Sequence, residues 1–129
     1  MTIYSGGCHC GDVKFEVSLE HQPLLHTCNC SMCAKSAYIH LIIPNTSFKL
    51  LTDKEKLSCY QFNSKIAEHY FCKRCGVKSF YVPRSNPDGV SVNARCLNNE
   101  EWQQWSIEHF DGQNWEQNAA TLAHLSKEK

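Results

Sequence analysis

Charge of one sign is what this sequence most lacks: 13 basic and 13 acidic side chains leave a formal net charge of zero. That balance offers no electrostatic footprint for nucleic acid or for an anionic membrane surface, and neither is expected as a partner. No apolar run approaches the length of a membrane-spanning helix. Nor does a linker, a repeat or a low-complexity segment divide the chain. The opening residues, Met1-Thr2-Ile3-Tyr4-Ser5, contain neither the basic nor the apolar part of an export signal, so an intracellular, cytoplasmic protein is expected. With 129 residues, 42% of them hydrophobic, the chain is long enough for one domain with a real core and short for two.

Against these absences stand nine cysteines. Seven of them are grouped as Cys8-His9-Cys10, Cys28-Asn29-Cys30-Ser31-Met32-Cys33 and Cys72-Lys73-Arg74-Cys75. A disulfide framework fits poorly. The count is odd, the export signal is missing, and thiols one residue apart bridge each other only under strain. In a reducing compartment clustered cysteines point to metal or redox chemistry. Zinc takes four ligands in a closed structural site and three in a site that keeps one position open. Seven thiols divide naturally as four and three, so two zinc ions per chain are expected.

Spacing alone leaves open which thiols share an ion. Cys8 and Cys10 can join Cys72 and Cys75, or two of the central three. The first arrangement is favoured, because two glycine-flanked turns, each giving two ligands, are the usual build of a closed four-thiolate site. It also clips the start of the chain to its middle, turning metal-binding energy into folding energy. Cys28, Cys30 and Cys33 then cover one face of a second ion. A three-thiolate zinc is electron-rich and well matched to a fourth sulfur, so a small thiol is the natural guest. The competing arrangement is a second structural zinc closed by Cys59, Cys96 or His40.

The remaining pattern is that of strands. Val13, Phe15, Val17 and Leu19 alternate with Lys14, Glu16 and Ser18, the period of a half-buried strand. Short strands are also predicted over 24–27, 40–44, 48–51, 57–62, 67–71, 78–82 and 90–94, with a last one through Trp105, Ile107 and His109. Residues 29–35 predict one helical turn capped by Ser31, and 98–103 another. Glycines on both sides of Cys8 and Cys10 supply unusual φ angles, and Gly76 closes a zinc-knuckle turn. Two prolines and a glycine make 83–89 a fixed loop. The tail around Leu122 and Leu125 reads as a short helix or a frayed end. Many short strands with few helical patterns predict a mainly β domain.

Beyond the cysteines, His40 is a candidate acid–base group or a support for a metal ligand. Arg84 and Asn86 are candidates to hold a carboxylate, a task suited to the two-pronged guanidinium, although an ordinary surface salt bridge is the favoured reading of Arg84. His9 reads as a solvent-facing spacer, His26 and His69 as core or edge histidines. Trp102, Trp105 and Trp115 read as core or interface, and Cys59 as a small buried hydrophobe.

Gly7-Cys8-His9-Cys10-Gly11, Val13 to Val17, Cys28 to Cys33 and Phe71 to Gly76 together resemble the glutathione-dependent formaldehyde-activating family. Phe48 to Leu51, Phe80 to Pro87 and Cys96-Leu97 are similar to its centromere protein V-like branch in particular. The resemblance runs from about Gly6 to about Trp115. It implies a single domain over 1–129, with a core at about 6–115 and a tail at 116–129. It implies a β-tent of two antiparallel sheets, a structural zinc on Cys8, Cys10, Cys72 and Cys75, and a second zinc on Cys28, Cys30 and Cys33. The activity implied is that of a carbon–sulfur lyase which joins formaldehyde to glutathione or releases it. A non-catalytic, zinc-stabilised binding module is the alternative.

Overall fold

The structure, a computed structural model, describes residues 1–62 and 65–127. The last two residues of the expected tail lie outside that range. Among the described residues ten strands form two sheets. They are β1 (Thr2–Gly7), β2 (Lys14–Leu19), β3 (Leu25–Cys28), β4 (Ile39–Pro44), β5 (Phe48–Leu50), β6 (Leu57–Tyr60), β7 (Glu68–Cys72), β8 (Phe80–Val82), β9 (Gly89–Asn93) and β10 (Ile107–Phe110). A three-stranded sheet has the order β1-β2-β5, and a seven-stranded sheet the order β10-β3-β4-β9-β8-β7-β6. Pairing is antiparallel throughout except between β10 and β3, which run parallel. This is the mainly β, two-sheet architecture expected from the sequence.

One core joins the sheets. Val13, Phe15 and Val17 are essentially inaccessible and face Leu41, Ile43, Val90, Val92 and Phe80 of the larger sheet. Phe48 closes the seam, its ring centroid 5.6 Å from that of Phe15 and 4.7 Å from that of Phe80. Strand alternation puts a different set of side chains on the far face of the larger sheet. The register aligns Ile42, Ser91, Tyr81, His69 and Tyr60 in one row, and His26, His40 and Asn93 in the next. That polar face positions the site.

Several local expectations are corrected. Strand β1 was not expected; most of its side chains are exposed, so it carries no buried alternation. Among the glycines around the first thiol pair, Gly11 has the left-handed backbone (φ 88°), as does Gly76 (φ 77°). Gly6 serves close packing instead, since a β-carbon there would run into the Phe15 ring. Cys59 is exposed on the edge strand β6, not buried. The tail is neither frayed nor one simple helix. α2 (Trp115–Asn118) leads into a 3-10 run over Ala119–Ser126, and Leu122 packs with Ile42 and Phe110 on the far face of the larger sheet.

Candidate active site

The four-thiol cluster is built by two turns. Cys8 ends the β1 hairpin side, where its N–H reaches Val13 O at 3.1 Å and its sulfur accepts from Val13 N–H at 3.3 Å. Cys72 ends β7, and its sulfur accepts from the N–H groups of Arg74 at 3.3 Å and Cys75 at 3.5 Å. These backbone donors stabilise sulfur in its charged, ligand form. The sulfurs of Cys8, Cys10, Cys72 and Cys75 all lie within 4.8 Å of one another. Cys10 is 3.6 Å from Cys8 and 3.6 Å from Cys72. A tetrahedron with metal–sulfur bonds of about 2.3 Å has sulfur–sulfur edges of about 3.8 Å, so spacing and donor chemistry both fit zinc. Of the two pairings the sequence left open, the fold produces the one that joins Cys8 and Cys10 to Cys72 and Cys75.

The second cluster sits where β3 meets α1 (Ser31–Ser36). Cys28 is the last residue of β3, and Cys30 caps the helix, its sulfur accepting from Cys33 N–H at 3.4 Å. Ser31 is thus not the cap but the first residue inside the helix. Ala37 ends the turn in a left-handed conformation (φ 52°), which folds the chain back into β4. Cys28, Cys30 and Cys33 bring their sulfurs within 4.8 Å of one another, and Cys33 is buried. Their proximity splits the thiols: contacts with Cys28 and Cys33 pull Cys30 down, while contacts with Cys28 and Cys30 push Cys33 far up. Three sulfurs this close together could hold a cation.

Neither Cys59, Cys96 nor His40 closes this arc. Among the described residues no other Cys, His, Asp or Glu atom joins the trio. Cys96 instead lies 3.9 Å from Lys78 O.

The arc opens onto a cavity of about 640 Å³. Its walls include Ile42, Phe62, Phe110 and Leu122, with His26, His40, His69, Tyr81, Arg84 and Trp115 as the polar and aromatic groups. His40 is buried and holds Ser91 Oγ at 2.9 Å and Tyr81 Oη at 3.2 Å through Nδ1, leaving Nε2 without a partner in the described protein. Burial, assisted by the charge of Lys78, lowers its pKa to about 3, so the ring is neutral at physiological pH. His26 and His69, expected as ordinary core or edge histidines, also face this cavity, and burial lowers both. His9 is exposed, as expected for a spacer.

Arg84 lies flat on Trp115, its Cζ 3.3 Å from the ring centroid, and 3.6 Å from exposed Glu116. Trp115 is therefore a cavity wall and a guanidinium platform rather than core. Asn86, grouped with Arg84 from the sequence, has another task. It is fully buried, and its amide donates to Leu122 O and Ser126 Oγ, both at 2.9 Å. Lys78 and Tyr81 were not singled out from the sequence, and His69 was read there only as a core or edge histidine. His69 and Tyr81 share a sheet face with His40 only through the pairings β4–β9–β8–β7, a face whose burial the sequence does not announce.

A small, mainly β domain that carries, among the described residues, a four-thiol cluster and a three-thiol arc beneath a cavity defines a class of thiol-rich protein with two groups that could hold a metal ion. The sequence pattern of the glutathione-dependent formaldehyde-activating enzymes matches residues 3–113. A Halomonas elongata protein, named provisionally as a glutathione-dependent formaldehyde-activating enzyme, is 31% identical over 106 residues, covering 76% of this chain and 68% of that one. The crystal structure of a Rhodobacter sphaeroides protein, a structural genomics target, superposes with a TM-score of 0.71 at 30% identity, covering 82% of this chain and 99% of that chain. The chain belongs to the glutathione-dependent formaldehyde-activating family. No described helix is long and apolar enough to cross a membrane.

Proposed function

We propose that the protein is a zinc-dependent carbon–sulfur lyase of the formaldehyde-activating type, adding a small aldehyde to a thiol such as glutathione or removing it. The observation that carries this reading is the position of Cys28, Cys30 and Cys33 on the wall of a large cavity, with no fourth donor beside them among the described residues. Two zinc ions per chain suit the donor sets. Cys8, Cys10, Cys72 and Cys75 would hold one as part of the fold, and Cys28, Cys30 and Cys33 the other. An ion in that open arc supplies positive charge that favours a thiolate at neutral pH.

The other roles belong to the chain's own side chains. The apolar walls exclude water and strengthen every polar contact within. Arg84, fixed by Trp115, is assigned to a substrate carboxylate; its present neighbour Glu116 is exposed and displaced at little cost. His40 is assigned to movement of the thiol proton. The Ser91 hydroxyl at its Nδ1 can donate or accept, so the ring can exchange tautomers while staying in place. Holding thiol and aldehyde together supplies the proximity that the reaction in water lacks.

Within the family we read the chain as nearest to the centromere protein V-like branch, on the segments Phe48 to Leu51, Cys96-Leu97 and Phe80 to Pro87, the last of which borders the cavity. A cytoplasmic setting, where thiols stay reduced, agrees with this chemistry. The test is exchange spectroscopy on glutathione and formaldehyde. Interconversion of free thiol and adduct should accelerate in proportion to native protein and not with Cys30→Ser. No acceleration at several protein concentrations would reject the reaction.

A further inference from the structure

Lys78 is 8% exposed, yet among the described residues no carboxylate forms an ion pair with it. Its Nζ lies 2.6 Å from His69 Nδ1, 4.0 Å from the ring centroid of Tyr81 and 4.8 Å from that of Tyr38. The two ring faces stabilise the ammonium by cation–π attraction. An ammonium has donors and no acceptor, so Lys78 donates to Nδ1 and the hydrogen of the His69 ring sits on Nε2. His69 is 4% exposed and stacks on Tyr81 with ring centroids 4.8 Å apart, so the ring is fixed on both counts. Its Nε2 has no partner in the described protein, and the residue lines the cavity that holds the thiol arc. An immobilised N–H donor backed by a buried cation, on a residue that lines the cavity, is the arrangement that stabilises developing negative charge on oxygen. Burial lowers the Lys78 pKa to about 8, so the ammonium form still predominates at pH 7.

Resting on the reading of the site as a thiol–aldehyde enzyme, we propose that His69 is a catalytic residue that gives its Nε2 hydrogen bond to the aldehyde oxygen, and that Lys78 is the positioning residue that fixes its tautomer and orientation. In the addition, a sulfur electron pair forms the C–S bond as the C=O π pair moves onto oxygen. The proton lost by the thiol is the one gained by that oxygen, so the product is the hemithioacetal, an S-hydroxyalkyl thioether. Nothing is oxidised or reduced. In reverse, His69 binds the same oxygen as the C–S bond breaks. The ligand class assigned to this wall is therefore a carbonyl oxygen or its hydroxyl adduct, separate from the carboxylate assigned to Arg84.

The test is long-range proton–nitrogen NMR of the zinc-loaded protein labelled with nitrogen-15 in histidine. At neutral pH His69 should show a protonated Nε2 and a bare Nδ1. Glutathione alone should shift other cavity resonances and leave Nε2 of His69 in place, and added formaldehyde should then move it. In exchange kinetics, His69→Asn keeps a polar atom near Nδ1 and deletes the Nε2 donor. It should lower kcat about 100-fold with the KM for glutathione within about twofold. His69→Gln, whose amide reaches the Nε2 position, should recover to within about tenfold of native. Lys78→Met should lower kcat about tenfold and mix the two His69 tautomers, with zinc content unchanged. A native Nδ1–H tautomer overturns the proposal, even if no variant folds. So does a His69 that stays silent when formaldehyde is added after glutathione has shifted the cavity, or equal rates for the Asn and Gln variants. If glutathione shifts no cavity resonance at all, the thiol–aldehyde reading fails and this inference with it.

Discussion

Gly112 lies against the sulfur of Cys28 so closely that a β-carbon on residue 112 would collide with it, and would stand 3.1 Å from Cys30 Cβ. The contact follows from the parallel pairing of β10 with β3, which aligns Phe110 with Cys28 and carries the next turn over the thiol arc. Asn29 locks the two segments together: its amide donates to Asp111 Oδ1 at 2.9 Å, and its oxygen accepts from Gln113 N–H at 2.9 Å. One side of the arc is thus made by a segment more than eighty residues away in sequence. Gly112→Ala should push Cys28 out of line with Cys30 and Cys33. Zinc per purified chain is then expected to fall from about two to about one with the melting temperature little changed. An unchanged metal count would mean that the arc does not depend on this contact.

The two thiol sets should respond differently to loss of a ligand. Cys72→Ser removes a buried sulfur that accepts two backbone N–H groups and ties β7 to the start of the chain. Structural zinc sites contribute about 10–16 kcal/mol in peptides that fold around them, as much as a small domain's whole stability. Cys72→Ser is therefore expected insoluble or unfolded by circular dichroism. Cys30→Ser should remain folded, because its arc is local and the core beneath is complete without it. Equal damage from both substitutions would erase the distinction between a fold-holding and a reacting position.

What the sequence announced and what it hid divide along physical lines. Val13, Phe15 and Val17 alternate because one face of β2 is buried and the other is not, so the strand could be read directly. The thiol spacings were legible because close pairs on tight turns leave a local mark. The cavity left no such mark. His40, Ser91, Tyr81 and His69 lie in adjoining rows of one sheet face only through the pairings β4–β9–β8–β7, a long-range fact. Their face is buried yet polar, which breaks the link between burial and hydrophobicity on which periodicity rests. Trp115 and Leu122 could not be placed on the cavity wall because their short turns have no amphipathic repeat long enough to show a side.

Asn86 holds that C-terminal wall. Fully buried, it donates to Leu122 O and Ser126 Oγ and accepts from Ser85 Oγ at 2.7 Å. Asn86→Ala leaves the Leu122 carbonyl without its donor and opens a small void, at a cost of about 1–3 kcal/mol. The expected result is a lower urea midpoint together with earlier proteolytic cleavage within residues 115–127. A global loss of stability with the tail still protected would show that the loop, not the tail, depends on Asn86.

His40 should make the protein acid-sensitive. Its ordinary pKa is 6.5, and burial, with Lys78 nearby, lowers it in the fold to about 3. Between those values the unfolded chain binds a proton that the folded chain does not, so unfolding gains protons as pH falls. The sign is therefore that of a depressed group: His40 costs nothing above about pH 6.5, and stability is lost progressively as pH drops from there toward 3, at about 1.4 kcal/mol per pH unit for one site. His69, lowered to about 4, adds a second component over a narrower range. Acid also protonates the metal-binding thiols, so a native curve alone is ambiguous. Comparing native protein with His40→Gln at each pH removes that shared part. Native stability relative to the variant should fall by about 2–3 kcal/mol between pH 6.5 and 4.5, measured by urea unfolding. Parallel curves across that window would mean that His40 takes up its proton within the fold, and that its environment is wetter and more polar than its burial implies.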